Sequence, residues 1–475
     1  MKNSNMNSYQ NPLVERYASD EISYIFSPHF KFMTWRKLWV ALAEAQKELG
    51  LDISESAISA MKATISDINF ETAEQYEKDL KHDVMSHIKA WGDQLPEKAR
   101  KIIHLGATSA FVTDNTELIQ MKTGLKILLS RLNELLLTLR KLALENKSVP
   151  MLGFTHFQIA QPVTLGKRIS LWLYEFYMDT KQILQLHNDL KIQGVKGTTG
   201  TMASFFTLFN DFEKPFILDN LVAKKMGFER TFPLTGQTYT RKSDYEIICA
   251  LSGIGQSSSK FATDIRLLQH RGEVFEPFGS KQVGSSAMPY KRNPMKCERI
   301  VSLSRLLFSK PAEIADITAN QWFERTLDDS ALRRIIIPEA FLAADAILLL
   351  CLTVAKGLDI QYKIIQNNLK QSMPFLISEE LIAKAFALGM SRQDAHQIIR
   401  DSFFLSKETG KDLFELLKQN SILKSIIESS DSLLNPSNYI GLAPIQVEKF
   451  IADELDPFLD TIKDFATIKS KEILI

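Results

Sequence analysis

Five long segments of the sequence repeat apolar residues at the three- and four-residue spacing of an α-helix. They span residues 114–146, 163–192, 241–270, 295–320 and 328–356. A helix of about 30 residues is about 45 Å long, which exceeds the width of a small domain. Such helices must be covered along their whole length, and a bundle shared between subunits buries their apolar faces economically. The pattern therefore predicts an all-α protein that forms an oligomer, with the number of subunits left open.

The start of the first long helix has a recognisable signal. Asp114 followed by Glu117 predicts a capping box, from which the helix runs towards Asn146. A shorter helix is predicted over residues 34–49, where tryptophan and leucine residues share one face. No run of alternating apolar and polar residues is convincing enough to predict a strand.

Glycine and proline residues divide the chain into three predicted helical domains. The N-terminal domain covers residues 1–108, the long-helix domain residues 109–358, and the C-terminal domain residues 359–475. The boundary before the C-terminal domain is placed near Gly357, because the predicted helices become shorter after this residue.

Composition limits the classes of partner. The 475 residues carry a net charge of +1, which argues against a general binder of nucleic acid or membrane surfaces. Three scattered cysteines lack disulfide or metal-ligand spacing, as is typical of a reducing compartment. The polar N-terminus has no apolar core of a signal peptide, and charged residues interrupt the most apolar stretch, residues 335–355. We expect a cytoplasmic protein.

The segment Gly284–Pro294 has the strongest chemical pattern, GSSAMPYKRNP. A glycine followed by two serines makes a mobile loop whose backbone can approach a ligand closely. The loop and its flanks hold an excess of positive charge in an almost neutral protein, which favours a polyanionic ligand over a merely solvated loop. The charged residues are Lys281, Lys291, Arg292, Lys296 and Arg299, with the single acid Glu298.

Two further segments place polar side chains beside predicted helices. In Gly153–Gln161, His156 could transfer a proton near neutral pH, although a lone loop histidine is more often structural. Thr108 and Ser109 precede the predicted cap at Asp114, where free backbone N–H groups could hold an anion. Taken alone, an ordinary polar helix start is the better explanation of that segment.

A possible metal site is rejected at Asp83 and His87. On a helix these residues would share a face, but no third ligand accompanies them. A simple Asp–His pairing on a polar face is the preferred explanation.

The arginines between Gln321 and Arg334 leave two alternatives open. Arg325, Arg333 and Arg334 could bind carboxylate or phosphate oxygens. The neighbouring acids at 328 and 329 could equally neutralise them and cap the following helix.

Together these segments resemble the fumarase/aspartase superfamily, whose motifs are matched by GATS at 106–109, THFQ at 155–158 and GSSAMPYKRNP at 284–294. Within it the chain is similar to the adenylosuccinate lyase family of the animal type, from about residue 11 to the C-terminus and in the same order. That closer resemblance rests on RYAS at 16–19, HDVM at 82–85, GVKGTTGT at 194–201, TGQTYTRK at 235–242, QWFERTLDDS at 321–330 and SRQD at 391–394.

The resemblance implies a three-domain fold in which long helices from four subunits form a central bundle. It implies a homotetramer with each active site built from three subunits, and no metal or organic cofactor. The implied reaction is a β-elimination that breaks a C–N bond and releases fumarate. The nucleotide substrates would be adenylosuccinate, which gives AMP, and succinylaminoimidazole carboxamide ribotide, which gives AICAR.

Residue roles carry over to matching positions. Ser285 would remove the proton beside a substrate carboxylate, and His156 would protonate the departing nitrogen. Backbone N–H groups and Lys291 are candidates to stabilise the serine alkoxide, and Ser286, Lys291 and Asn293 to stabilise the aci-carboxylate. The other implied substrate-binding residues are Arg16, Tyr17, Arg325, Ser330 and Arg334 for the nucleotide and its phosphate, and Lys81, His82, Asp83, Thr108, Ser109, Thr155, Gln237 and Arg299 for the rest of the pocket.

Two positions depart from the family pattern. Ile159 stands where the family usually has proline, which removes a backbone restraint near His156. Lys81 stands where animal relatives commonly have arginine, so a bidentate contact becomes a point charge, with more bearing on affinity than on activity.

Two alternatives accompany this interpretation. A sister lyase would act on argininosuccinate, aspartate or malate, which the nucleotide-facing segments disfavour. A scaffold with the same fold would have lost catalysis, which the presence of Ser285, His156 and Lys291 disfavours.

Overall fold

The protein is described by a computed structural model over residues 7–429 and 433–465. A π-helical turn at Leu13–Tyr17 precedes six N-terminal helices. These are α1 (Asp20–Ile25), α2 (Pro28–Glu48), α3 (Glu55–Ala63), α4 (Phe70–Leu80), α5 (Asp83–Gly92) and α6 (Glu97–Arg100). Ser27 caps α2 by accepting a hydrogen bond from the Phe30 N–H at 3.2 Å, so that helix begins earlier than predicted.

The central region contains the five predicted long helices, and the all-α fold class is confirmed for a chain with few, short strands. Its helices are α7 (Ser109–Glu145), α8 (Leu165–Asp189), α9 (Ala203–Phe209), α10 (Lys214–Lys225), α11 (Lys242–His270), α12 (Met295–Ala319) and α13 (Asp328–Lys356). Apart from the start of α7, the long helices match the predicted spans to within a few residues.

The helix α13 is the centre of the long-helix packing. It contacts α7, α11 and α12, and its residues from Ala340 to Leu352 are almost completely buried. Among the described helices, α13 alone is long and apolar enough to cross a membrane, yet 83% of its most apolar window is buried inside the protein. That burial is typical of a core helix.

The predicted capping box at Asp114 is wrong. The helix α7 begins at Ser109 with Thr108 at its N-cap, so Asp114 lies inside the helix. Its carboxylate accepts a hydrogen bond from Arg241, the N-cap residue of α11, at 2.9 Å instead of capping a backbone N–H. A charged residue that serves a buried tertiary ion pair can imitate a cap in the sequence.

The segment around His156 is a β-hairpin, whereas no strand was predicted there. Its strands are β1 (Pro150–Thr155) and β2 (Gln158–Thr164), paired antiparallel with an irregularity at Gly153. An ideal Cβ on Gly153 would lie 2.4 Å from the Gln161 carbonyl oxygen. The bulge interrupts the two-residue alternation by which strands are recognised.

The C-terminal region consists of shorter helices. The two-stranded pair of β3 (Val274–Phe275) and β4 (Asp359–Ile360) precedes them. They are α14 (Tyr362–Leu376), α15 (Ser378–Ala387), α16 (Arg392–Thr409), α17 (Leu413–Leu417), α18 (Ser421–Glu428), α19 (Ala443–Phe450) and α20 (Asp456–Ile462).

The division into three domains stays a prediction, but the buried clusters cross both of its boundaries. Phe205 and Leu218, from α9 and α10, pack in the same cluster as Trp35 of α2. At the other end, Val447 and Leu455 join the cluster of the long helices.

A buried ion pair ties the N-terminal turn to the long helices. Asp345 of α13 accepts a hydrogen bond from the Ser19 N–H at 2.8 Å and lies 3.4 Å from Arg131 of α7. The side chains of Asp345 and Arg131 are almost fully buried. The pair therefore positions the segment that carries Arg16 and Tyr17.

Replacing Asp345 with alanine is expected to lower the free energy of unfolding by about 3–5 kcal/mol, because Arg131 would lose a buried counter-charge. The matched control Asp189→Ala removes an exposed ion pair with Arg230 and should change stability little. The midpoint of urea unfolding measures both effects. Equal midpoints for the two variants would contradict the expectation.

Candidate active site

A cavity of about 680 Å³, here called the α5–α13 cavity, lies between the N-terminal helices and α13. Its volume is typical of a small-ligand pocket. Eight of the predicted site residues line it, and they come from four separate stretches of chain. The eight are Lys81, His82, Asp83, Ser109, Gln237, Arg325, Ser330 and Arg334.

One wall of the cavity is the junction of α4 and α5. Lys81 ends α4 in the left-handed conformation, with φ of 54°, which turns the chain so that His82 caps α5. His82 Nδ1 accepts a hydrogen bond from the Met85 N–H at 3.4 Å, and its Nε2 lies 3.4 Å from Ser109 Oγ. Thr108, at the N-cap of α7, is next to this contact without lining the cavity.

The opposite wall is formed by the segment that leads into α13. Arg325 Nη1 donates a hydrogen bond to Asp329 Oδ1 at 2.9 Å. Arg334 is more than half exposed and its Nη2 lies 3.7 Å from Asp83 Oδ2, across the cavity. Cations from this wall therefore face the acid of the other wall.

Beneath that wall lies a buried network of ion pairs that joins α7, α11 and α13. Arg241 donates to Asp329 at 2.8 Å and to Asp114 at 2.9 Å. Arg333 donates to Asp244 at 2.8 Å. Burial alone would lower the pKa of Arg241, but its carboxylate neighbours, Asp114 first, raise that pKa above its usual value. All five side chains are buried and paired inside the protein.

The three arginines differ in burial and pairing, while their roles in binding a ligand stay predictions. Arg333 is neutralised inside the protein, and its side chain is 3% exposed. Arg325 shares Asp329 with the buried network. Arg334 has the most open side chain of the three and is available to a ligand.

The segments 194–201, 235–242 and 321–330 pack backbone to backbone beside the cavity. An ideal Cβ on Gly200 would lie 2.0 Å from the Thr235 carbonyl oxygen, and one on Gly236 would lie 2.6 Å from the Glu324 carbonyl oxygen. The Gln237 N–H also donates to Glu324 at 3.0 Å. Side chains at these glycines would separate the segments and displace Gln237.

Arg16, Tyr17 and Arg299 lie outside the α5–α13 cavity. The guanidinium of Arg299 is 5.4 Å from the centre of the Tyr17 ring, a cation–π contact. Arg16 and Tyr17 belong to the π-helical turn that packs on α13. The fold thus brings Tyr17 to Arg299, and neither lines the cavity.

Thr155 and His156 are at the exposed tip of the β-hairpin. His156 and Phe157 both adopt positive φ values, 51° and 58°. The ring of Phe157 is exposed although it is large and apolar. Neither Thr155 nor His156 lines the α5–α13 cavity.

Ser285 sits in the loop between β3 and α12, where its oxygen faces two backbone donors. Ser285 Oγ accepts hydrogen bonds from the N–H groups of Ala287 at 3.3 Å and Met288 at 3.1 Å. Asn293 closes the base of the loop by donating to the Gly284 carbonyl at 2.7 Å. Donors aimed at an oxygen favour its negatively charged form.

The positive charge of this loop is less free than its composition suggests. Lys296 is buried and donates to the Pro277 carbonyl at 3.0 Å. Arg292 lies 3.7 Å from Asp359. Lys291 and Ser286 remain exposed on the loop. The predicted polyanion would therefore meet fewer free cations than the five counted in the sequence.

The predicted pairing of His87 with Asp83 on a polar helix face is wrong. His87 is buried and stacks on Phe32, with ring centres 3.6 Å apart. Within the described residues, no three His, Cys, Asp or Glu side chains form a group that could hold a metal ion.

Known proteins resemble the chain over nearly its whole length. A family described as lyase matches residues 16–307, and one described as adenylosuccinate lyase C-terminus matches residues 374–450. The adenylosuccinate lyase of Saccharomyces cerevisiae is 45% identical over 471 residues, which cover 96% of this chain and 98% of that protein. The Schistosoma mansoni enzyme is 43% identical over 474 residues, covering 97% and 98%. The chain belongs to the adenylosuccinate lyase family.

Two solved structures of low sequence identity share the fold of this chain. The 3-carboxy-cis,cis-muconate lactonizing enzyme from Pseudomonas putida superposes with a TM-score of 0.82 at 23% identity, covering 96% of this chain and 100% of that one. A fumarate lyase from Mesorhizobium gives 0.80 at 24% identity, covering 93% and 99%. Members of different families therefore share this arrangement of helices.

Family membership confirms the resemblance found in the sequence, whereas the roles of individual residues stay predictions. Within one chain, the α5–α13 cavity contains neither Ser285 nor His156. The network residues Arg241 and Asp244 were not identified from the sequence. Their partners are 88, 89 and 127 residues away, so no local pattern signals them.

A titratable histidine lies just before the GATS segment. The His104 Nδ1 accepts a hydrogen bond from Trp39 Nε1 at 2.9 Å, and the backbone φ is 65°. Burial, with a smaller effect of His82, lowers the pKa of His104 to about 4. The folded protein therefore holds this ring neutral at a pH where the unfolded chain protonates it.

We expect thermal stability to fall as the pH drops from about 6.5 towards 4, because only the unfolded state takes up the proton there. His104→Asn keeps an acceptor and tolerates the positive φ, so its melting temperature should fall less over this range. His87, whose pKa is also about 4, leaves a residual dependence. A variant as acid-sensitive as the original protein would contradict this assignment.

Proposed function

We propose that the chain eliminates fumarate from adenylosuccinate to give AMP, and from succinylaminoimidazole carboxamide ribotide to give AICAR. The observation that carries this proposal is the near full-length identity of 43–45% to adenylosuccinate lyases. A cavity with Arg325, Ser330 and Arg334 in one wall supports it, because guanidinium and hydroxyl groups suit a nucleotide phosphate.

Ser285 acts as the general base in this proposal. A serine hydroxyl is a weak base unless its alkoxide is stabilised. The N–H groups of Ala287 and Met288 already point at Ser285 Oγ, and Lys291 on the same loop adds positive charge. The loop is therefore suited to hold the oxygen in its charged form when a substrate closes it.

The remaining chemistry is divided between the hairpin and the loop. His156, exposed at the hairpin tip, protonates the departing nitrogen. Proton removal beside a carboxylate creates an aci-carboxylate, which Ser286, Lys291 and Asn293 stabilise. Asn293 uses one amide hydrogen on Gly284 and keeps the other for the substrate.

The assembly that suits this chemistry is a homotetramer with each site shared by three subunits. In one chain the acid, the base and the α5–α13 cavity lie on separate elements. The helix α8 exposes Leu171, Tyr174 and Met178 on one face, and such an apolar stripe fits a helix of another subunit. The exposed Phe157 beside His156 fits the same explanation.

We place the enzyme in the cytoplasm. Cys249, Cys297 and Cys351 are free thiols, as is common in a reducing compartment. Cell fractionation with an antibody against the protein tests this; recovery in a membrane or secreted fraction would reject it.

The two alternatives have less support. A sister lyase is not favoured, because the Saccharomyces cerevisiae and Schistosoma mansoni relatives, similar over nearly the whole chain, are adenylosuccinate lyases. An inactive scaffold has less support, because two backbone N–H groups already donate hydrogen bonds to Ser285 Oγ, the oxygen of the proposed base.

The purified protein is expected to convert adenylosuccinate and to leave argininosuccinate unchanged in a spectrophotometric assay. Ser285→Ala and His156→Ala should each lower kcat by about 10²–10⁴-fold, because each removes a proton-transfer group. The matched controls Ser309→Ala and His396→Gln change exposed residues on α12 and α16 and should leave kcat unaltered. Absence of turnover by the original protein would reject the proposed function.

Mixing Ser285→Ala with His156→Ala subunits is expected to restore part of the activity. If base and acid at one site come from different subunits, some mixed sites contain neither substitution. Light scattering should give the mass of four chains for each variant. A double variant, carrying both substitutions, serves as the control and should stay inactive after the same treatment. No recovery in verified mixed tetramers would reject the shared site.

A further inference from the structure

Lys31 is a lysine of the α5–α13 cavity that none of the resembling segments contains. It lies at the end of the first turn of α2 and lines the cavity together with Arg325, Ser330 and Arg334. Its position depends on the fold, because α2 and α13 are far apart in the sequence.

The lysine is held in place by aromatic rings. Its Nζ is 5.0 Å from the centre of the Phe32 ring and 4.9 Å from that of the Trp35 ring. Trp35 is fully buried, so it offers a fixed surface. Cation–π contacts of this kind orient an ammonium without neutralising it.

No carboxylate is committed to this ammonium. Within residues 7–429 and 433–465, the Lys31 Nζ makes no hydrogen bond or ion pair. Two nearby acids are engaged elsewhere: Asp83 with the Val84 N–H at 2.8 Å, and Glu117 with Arg333 at 2.6 Å. A sheltered ammonium without a partner is costly, and an anionic ligand would remove that cost.

The charges around Lys31 also favour an anionic ligand. Burial is the main cause that lowers the pKa of Lys31, and the positive charge of Arg334 lowers it further. The charges of Asp83, Glu117 and Glu77 only partly oppose this effect. Two cations that repel each other in one cavity are typical of a site for a doubly charged anion.

We propose that Lys31 is an additional substrate-binding residue, whose ammonium contacts the phosphate of the nucleotide together with Arg334. The inference rests on the proposed function and deepens it. The phosphate is favoured over the substrate carboxylates because Lys31 lines the cavity together with Arg325, Ser330 and Arg334, the residues implied to bind the phosphate.

The test compares three variants by product inhibition of adenylosuccinate cleavage. Lys31→Met keeps an unbranched chain over the two rings and removes the charge, and Lys31→Arg restores a charge. Lys37→Met is the matched control, an exposed lysine on the same helix. The probes are AMP, which carries the phosphate, and fumarate, which carries only carboxylates.

We expect Lys31→Met to weaken inhibition by AMP by about 10- to 100-fold, the effect of losing a charged hydrogen bond, with fumarate inhibition unchanged. Lys31→Arg should recover most of the AMP affinity, and Lys37→Met should match the original protein. KM for adenylosuccinate should rise while kcat changes little.

Three results would overturn the inference. Unchanged AMP inhibition in Lys31→Met would show that the ammonium does not bind the phosphate. Loss of fumarate inhibition instead would assign Lys31 to the carboxylates. Equal loss for both probes with a lower melting temperature would indicate a structural role. Turnover by the original protein is measured first, so failure of the proposed function is recognised separately.

Discussion

The buried ion network of Arg241 and Arg333 is the constraint on which the rest of the site depends. Arg241 joins α11 to Asp114 of α7 and to Asp329 of α13, so one guanidinium sets the relative position of three long helices. Because each carboxylate is buried, loss of either partner leaves an uncompensated charge. Asp329 also accepts a hydrogen bond from Arg325, so the position of α13 determines where Arg325 lies in the wall of the cavity.

The pairing of buried arginines also explains which positive charges face the cavity. The deeper arginines are neutralised inside the protein, whereas Arg334 and Lys31 face the cavity with fewer partners. Aromatic rings support Lys31 without cancelling its charge. Asn293 and Lys296 hold the backbone at the base of the loop, while Lys291 is exposed. Burial and pairing of Arg241 and Arg333 thus leave Arg334 and Lys31 among the cations that face the cavity.

Much of the fold follows from local patterns. The long helices were predictable because apolar residues at helical spacing need no information from elsewhere in the chain. The capping box failed because Asp114 serves a partner 127 residues away, and a carboxylate looks the same in either role. The hairpin at His156 was missed because its bulge at Gly153 breaks the alternation of a strand. The polar segments 81–83, 106–109 and 321–334 were identified, yet nothing in them shows that they share a cavity.

The sequence by itself determined the class of fold, the family and the candidate residues, since periodicity and ordered motifs are properties of neighbouring residues. Only the tertiary structure decided which charges are free. It assigned Arg333 to a buried network, left Arg334 open and brought Lys31 into the same cavity. The physical reason is that the availability of a charged group depends on its burial and on partners distant in the sequence, and both arise only when the helices pack.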